Sequence, residues 1–409
     1  KLEDLKQIKT FHWVFEFPEV FLDRGGFDVV VGNPPYGDIL KDVEKEIVKK
    51  TFPFKTTISD GDQKGSTNSF AVFIERSNLL LKHFGYFSMI VPNSVTRIDE
   101  FEKTRNLLLS QYLYHIVDNA SPFVGTTLEM VSLFYKKQQM KDRDYTILIF
   151  SQRENLKTNV NKVLKSIFEK YRRFILYWDE KWETIVQNAA YVIDGVRGPS
   201  VDSKNCSETP MTHYVIPCLI SGKTVHRYSF DVKKFHWCRK NIFQSKTVKK
   251  TFDEEIIVAT RLANVYRATI KPRGIAVADN VIRTYPHSET SPLMLLPILN
   301  SKLMEYTTKR YLANYIELTM YLNMIVPYTP IKIPSDQTTY KWLSHLLLFI
   351  YQRRKEKCFE AIKVFFDSQI TDSLVYELYF KEKFHEDGLY PELKEYLLEA
   401  VSKHLKPIN

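Results

Sequence analysis

The sequence predicts a layered α/β sheet over about the first 150 residues, then a mixed α+β region that ends in helices. Three observations carry this fold class. Phe27-Asp28-Val29-Val30-Val31 is β-branched, too short for a helix, and closed by a turn signal at Gly32, which marks a buried strand of a parallel sheet. Strand-like and helix-like segments then alternate at short pitch. Hydrophobic residues make up 44% of the 409 positions and charged residues 26%, a globular balance with ample chain to bury cores.

The elements follow in order. Phe70 to His83 repeats apolar residues at helical spacing (Phe70, Phe73, Ile74, Leu80, Leu81), with Gly85 as the helix stop. Tyr86 to Val91 is a second buried strand, closed by Pro92. Phe101 to Tyr112 is an amphipathic helix, and Tyr114 to Val117 a third strand. Val131 to Tyr135 and Tyr145 to Phe150 read as further strands. Residues 151–189 are charged and read as a helical connector. From Ala190 the pattern is irregular, with strand-like runs at Ile256–Thr260 and Ile275–Ile282, a helix near Leu293–Leu312, and helices from Thr338 almost to the end.

Composition narrows the function classes. Lys plus Arg exceed Asp plus Glu by ten, which fits a polyanionic partner. The longest apolar run, around Leu343 to Tyr351, is too short to span a bilayer, and the opening Lys-Leu-Glu-Asp resembles no leader, so a soluble intracellular protein is expected. A chain that opens on Lys rather than Met reads as a piece of something longer. Four cysteines (Cys206, Cys218, Cys238, Cys358) contain no C-x-x-C pair, so neither a disulfide framework nor structural zinc is expected, even with His213, His226 and His236 nearby. Asp179-Glu180-Lys181 matches half of a nuclease core, but triplets of this kind are too common to carry an assignment.

The chemistry-bearing motif follows the first strand directly: Asn33-Pro34-Pro35-Tyr36-Gly37. Two prolines stiffen the backbone at the carboxyl end of a strand, where open α/β sheets place their ligands. They cannot donate hydrogen bonds, so such a turn presents acceptors. The amine of adenine is a poor nucleophile because its lone pair is delocalised into the ring. An Asn33 side-chain oxygen and the Pro34 carbonyl, both accepting from that amine, would draw it toward tetrahedral and free the lone pair. Tyr36 would stack on a base taken out of the duplex, and Gly37 would permit close approach. The plain alternative is a proline-rich turn and nothing more.

Asn33-Pro34-Pro35-Tyr36 resembles motif IV of the DNA amino-methyltransferases in its adenine-N6 form. The lead-in from Phe11-His12-Trp13 through Phe17-Pro18-Glu19-Val20-Phe21 to Gly32 is similar to that of type IIG restriction–modification enzymes. Gly85 to Asn93 resembles the strand block that follows in TaqI-type methyltransferases, and Phe123-Val124-Gly125-Thr126-Thr127 before Val131-Ser132-Leu133-Phe134 the block whose Phe holds the other face of the flipped base. By that resemblance Phe123 sandwiches adenine against Tyr36. The resemblance implies the back half of a class I (Rossmann-like) methyltransferase sheet over 1–150, and a TaqI-like DNA target-recognition domain with C-terminal helices over 190–409. It also implies S-adenosylmethionine as cofactor, double-stranded DNA as partner and a prokaryotic cytoplasmic setting. The departure is the cofactor site: no glycine-rich loop precedes Asn33, and Gly61, Gly65, Gly195, Gly198 and Gly222 do not cluster into one. The cofactor site is therefore expected to be incomplete in this chain, with the missing N-terminal half or a nuclease domain as a further partner.

In the second region, Ile220-Ser221-Gly222-Lys223 to Arg227-Tyr228 and Leu295 to Lys302 are similar to blocks of the recognition domain, followed by an Ile331-Lys332-Ile333-Pro334 exit. Lys233, Lys234, Arg239 and Lys240, interleaved with Phe235, His236 and Trp237, and then Lys246, Lys249 and Lys250, form a candidate DNA-binding cluster, with Arg261 and Arg267 as further candidates. A solvated charged face is the plain alternative. Two functions emerge. One is a site-specific DNA adenine-N6 methyltransferase of a restriction–modification or phage-defence system, inactive as this fragment. The other is a catalytically silent DNA-specificity fragment of such an enzyme. An RNA or protein methyltransferase shares the Asn-Pro-Pro-Tyr chemistry, and the basic second region disfavours it.

Overall fold

The structure, a computed structural model, describes residues 11–37, 39–51, 68–125, 128–153, 160–263, 266–287, 290–315, 320–353 and 359–384. Thr126, Thr127, Gly61, Gly65 and Cys358 lie outside the described residues. The chain divides into two compact units, Lys1–Trp178 and Asp179–Asn409. Both are mixed α/β, and the described C-terminal part is helical.

The first unit is built on a six-stranded sheet in the order β1-β2-β4-β3-β5-β6. Its strands are β1 (Phe27–Gly32), β2 (Leu81–Pro92), β3 (Tyr112–Asp118), β4 (Met130–Lys136), β5 (Thr146–Ser151) and β6 (Asn161–Leu164). β1 runs parallel to β2, and β3 parallel to β5, while β4 lies between β2 and β3, antiparallel to both. The carboxyl ends of β1, β2, β3 and β5 therefore share one edge. One face of the sheet is dry: Phe87, Met89, Val91, Leu113, Ile116, Val131, Leu133, Tyr135, Ile147 and Ile149 are buried. Helix α1 (Ser69–Leu80) buries Phe70, Ile74 and Leu80, and helix α2 (Glu102–Ser110) buries Leu107 and Leu108.

Two expectations change. Gly85 does not stop the helix: α1 ends at Leu80, and β2 starts at once with a bulge, because Phe27 pairs with Leu81 while Val29 pairs with Tyr86. A Cβ at Gly85 would lie 3.0 Å from the Phe27 carbonyl oxygen, so close backbone approach across the bulge accounts for this glycine. The expected connector over 151–189 is not uniformly helical. Asn161–Leu164 is β6, antiparallel to β5, and helix α3 (Lys165–Tyr171) follows it within the first unit. Of the four β6 residues only Val163 is buried, so this edge strand has no apolar run to announce it.

The second unit holds two four-stranded sheets. One runs β12-β11-β14-β7, from β7 (Ile193–Arg197), β11 (Ile256–Thr260), β12 (Ala268–Lys271) and β14 (Val281–Pro286), antiparallel throughout. The other runs β13-β9-β10-β8, from β8 (Cys206–Ser207), β9 (Ile216–Leu219), β10 (His236–Cys238) and β13 (Ala276–Val277). Cys206 and Cys238 face each other across β8 and β10 and are joined as a disulfide, contrary to expectation. Spacing in sequence does not register a pair created by strand alignment. Cys218 stays a free thiol whose pKa burial pushes up to about 12. Among the described residues no group of three or more His, Cys, Asp or Glu side chains could hold a metal, and no helix is long and apolar enough to cross a membrane.

The two sequence blocks singled out in this unit meet. Arg227 donates to the Asn300 carbonyl and to Asp367 Oδ1 at 2.9 Å, while Ala268 N donates to Asn300 Oδ1 at 2.9 Å and Asn300 Nδ2 to the Ala268 carbonyl at 3.0 Å. Nearby, the fully buried Lys271 ammonium donates to the carbonyls of Thr251 (2.7 Å), Glu254 (2.6 Å), Pro272 (2.9 Å) and Ile275 (3.0 Å). Lys271→Met strands these acceptors and is expected to destabilise the unit by about 2–4 kcal/mol. The check is a lower urea midpoint at unchanged m-value.

Candidate functional site

β1 delivers the chain to the Asn-Pro-Pro-Tyr-Gly turn at the carboxyl edge. Asn33 and Pro35 are exposed, Pro34 is buried, and Tyr36 and Gly37 are half-buried. The prolines remove two backbone donors, so the turn is anchored from outside, by the start of α1. Ser69 Oγ lies 2.7 Å from the Pro35 carbonyl oxygen and 2.9 Å from that of Gly37, and Ser69 N donates to the Gly37 carbonyl at 3.0 Å. Gly37 N donates in return to Asn68 Oδ1 at 3.2 Å. Gly37 has φ +98° and nothing nearer than Ile39, at 4.0 Å, to where a Cβ would stand; backbone angle, more than crowding, calls for glycine here.

The Tyr36 hydroxyl donates to the Asn33 side-chain oxygen and lies 3.5 Å from the Ile90 carbonyl of β2. Burial raises the Tyr36 phenol pKa, so the hydroxyl stays a neutral donor at ordinary pH. Asn33 and Tyr36 are thus brought side by side. Among the described residues nothing donates to the carbonyl of the buried Pro34.

Phe123, half-buried, lies on the chain leaving β3, with Val124 beyond it fully exposed. It rises from the same edge as the turn, and the ends of β1 and β3 stand about 14 Å apart at the usual inter-strand spacing. Beneath this arm lies a buried polar group the sequence did not reveal: Asp118, Glu129, Ser151, Arg153 and Tyr177. Asn68 and Ser69 were also missed, though an Asn-Ser pair just before an apolar periodic run is a legible helix-start signal.

The basic candidates lie in the second unit. Lys233, Lys234, Arg239, Lys240, Lys246, Lys249, Lys250 and Arg267 are exposed, and Arg261 is half-buried. Helix α4 (Lys246–Asp253), capped by the Ser245 side chain, buries Val248 and Thr251 and presents its lysines outward. Lys234 pairs with Asp231 at 3.3 Å, Arg239 covers the Tyr214 ring and Lys250 the Tyr285 ring. The interleaved aromatics are not all surface rings: Phe235 is buried in a core with Leu219, Val225 and Val258. Asp179 of the nuclease-like triplet is a helix cap, accepting from Lys181 N and Trp182 N, and it also accepts from Arg310 (2.8 Å) and Tyr311 (2.6 Å).

Residues 1–123 match the Eco57I restriction-modification methylase family. The chain is 24% identical over 413 residues to RM.MjaORFECS2P of Methanocaldococcus jannaschii, by name a type II restriction enzyme and methyltransferase, covering 93% of this chain and 33% of that protein. It is 30% identical over 147 residues to the type II restriction enzyme and methyltransferase RM.Eco57I of Escherichia coli, covering 35% of this chain and 13% of that one. The chain thus spans about a third or less of these relatives. The solved structure of the type IIL restriction–modification enzyme MmeI in complex with DNA shares the fold, with a TM-score of 0.53 at 10% identity over 92% of this chain and 57% of that one. The chain is homologous to type II restriction–modification enzymes, as its Asn-Pro-Pro-Tyr resemblance implied.

The turn depends on a donor outside itself, which gives a direct check. Ser69→Ala is expected to speed amide exchange at Gly37 by roughly tenfold, the loss of one net hydrogen bond. Exchange in the centre of β2 should stay within a factor of about two.

Proposed function

From this homology we propose that the chain forms the base-side part of a site-specific DNA adenine-N6 methyltransferase. The observation that carries the proposal is the Asn33-Pro34-Pro35-Tyr36 turn, standing at the carboxyl edge of a parallel strand pair and clamped there by Ser69. A target adenine taken out of the duplex would present its amine to Asn33 Oδ1 and the Pro34 carbonyl, with Tyr36 on one face of the ring and Phe123 on the other. Two acceptors on one amine favour the pyramidal geometry in which the nitrogen lone pair is available. In this structure Asn33 Oδ1 accepts from the Tyr36 hydroxyl, so an incoming amine would replace that donor. The turn supplies position rather than an acid or a base, as a displacement needs.

The described residues do not by themselves fit S-adenosylmethionine. Ahead of β1 the chain forms a short turn of helix (Trp13–Glu16) and an aromatic cluster of Trp13, Phe17 and Phe21 around Phe27. Gly26 is closed against the Leu80 carbonyl, 2.6 Å from where its Cβ would be, and leaves no cradle. We therefore assign this chain the amine-binding share of the reaction and place the methyl donor on another segment. The sheet supports such a partner. Among the described residues β1 pairs on one side only, yet its Val29 and Val31 side chains are 54% and 74% exposed. An apolar edge strand of this kind is suited to being covered by further strands. Residues 190–409, within the second unit, are assigned to reading the DNA, with Lys233, Lys234, Arg239, Lys240, Lys249, Lys250 and Arg261 at its phosphates and bases.

The test is methyl transfer from tritiated S-adenosylmethionine to unmethylated DNA, by the 409-residue chain and by the longest native protein that carries it. N6-methyladenine formed by the longer protein supports the proposal; methyl on cytosine, RNA or protein overturns it. Asn33→Ala is expected to lower transfer by at least about a hundredfold, while DNA retention stays within about twofold. Retention by the chain with no transfer in either form favours the silent specificity fragment. Replacing Lys249 and Lys250 together by Ala is expected to lower the slope of log affinity against log salt by about two, as for two lost phosphate contacts.

A further inference from the structure

The arm that carries Phe123 leaves β3 at Asp118, and the chain returns to β4 through Glu129. These two feet are joined by the buried guanidinium of Arg153. Arg153 Nε donates to Asp118 Oδ2 at 2.6 Å, and Arg153 Nη2 donates to Asp118 Oδ1 at 3.2 Å and to the Glu129 carboxylate. The three side chains are 3%, 0% and 5% exposed, in the order Arg153, Asp118, Glu129. Two carboxylates in so dry a place repel each other unless a cation stands between them. Burial alone would favour the neutral guanidine, but Asp118 and Glu129 more than offset it, so Arg153 stays charged.

Asp118 does more than balance charge. Its Oδ2 accepts from the Tyr177 hydroxyl at 2.6 Å, and its Oδ1 accepts from the Ala120 backbone at 3.0 Å. Ala120 has φ +52°, a conformation that a residue with a side chain rarely adopts, so the direction in which the arm leaves the sheet depends on that carboxylate. The feet are also laced by Asn119 N to the Met130 carbonyl (3.0 Å) and Met130 N to the Ala120 carbonyl (2.8 Å). On the other side, Asn93 N donates to the Glu129 carbonyl at 2.8 Å and ties the return foot to the exit of β2. Arg153 itself is braced by its own N–H, 3.1 Å from Ser151 Oγ at the end of β5.

We infer that Arg153 is a positioning residue: bridging Asp118 and Glu129, it fixes the exit of the arm and so sets where Phe123 stands above the carboxyl edge. Its consequence for catalysis rests on the methyl-transfer reading; the bridge itself does not. The two are separated by measuring both. Amide exchange in the DNA-free chain is compared for wild type, Arg153→Met, Arg153→Lys and Glu129→Gln, the last leaving the Asp118–Arg153 pair intact in case the methionine variant fails to fold. Exchange at Asn119, Ala120 and Met130 is expected to rise about tenfold or more in the Met and Gln variants, with β2 within about twofold and the Lys variant between. In the longest native protein, kcat for methyl transfer is expected to fall about tenfold with KM for DNA nearly unchanged, and Arg153→Lys to recover part of it. Unchanged exchange in both the Met and Gln variants overturns the inference, and so does loosened exchange with unchanged kcat. Loosened exchange in a protein whose wild type transfers no methyl group leaves the Arg153 bridge standing and removes the methyl-transfer reading instead.

Discussion

A turn made of two prolines has no means of holding itself. Its two prolines lack the N–H groups that would tie it to a neighbouring strand, so its shape depends on partners brought from elsewhere: Ser69 at the head of α1 donates to its carbonyls, and the Asn68 side-chain oxygen accepts from Gly37 N. The same lack shapes what the turn presents, because two prolines in a row contribute carbonyls and no N–H. Ser69 occupies the carbonyls of Pro35 and Gly37, and no described donor reaches those of Pro34 and Tyr36. The division between anchored and offered acceptors follows from where one hydroxyl reaches. The helix that carries that hydroxyl is in turn fixed by burying Phe70, Ile74 and Leu80 against the sheet.

Around that turn the sheet gathers chemistry at one edge. Because β4 runs antiparallel between β2 and β3, the parallel strands β1, β2, β3 and β5 all end on the same side. Asn33, Asn93 and Arg153 follow three of those strand ends and Asp118 closes the fourth, and the links among Asn93, Glu129, Asp118 and Arg153 turn the edge into a braced rim. At the edge of the sheet, where β1 pairs on one side only among the described residues, Val29 and Val31 are exposed. The relatives are a little under three times as long as this chain.

Several readings failed for identifiable reasons. Gly85 looked like a helix stop because glycine commonly ends helices, yet it serves a bulge that brings two backbones together. β6 was hidden because a short edge strand buries one residue, Val163, and leaves Lys162 and Leu164 exposed, with no apolar alternation to read. The Cys206–Cys238 pair follows from strand register, and the burial of Phe235 from which side of its turn packs inward. Arg153 looked like one more basic residue in a charged stretch, since nothing local marks an arginine whose partners lie 24 and 35 positions away.

The amino-acid sequence by itself determined the alternation of strands and helices in the first unit, the site motif at the end of β1, the basic surplus and the relationship to restriction–modification methylases. Each is written in local pattern: β-branched runs, helical periodicity, two adjacent prolines, a count of charges. The tertiary structure alone decided which residues hold the motif, how the edge is braced, and which members of the aromatic–basic cluster face water. Those depend on contacts between segments far apart in the chain, where the directions of the strands and the burial of each side chain set which groups meet.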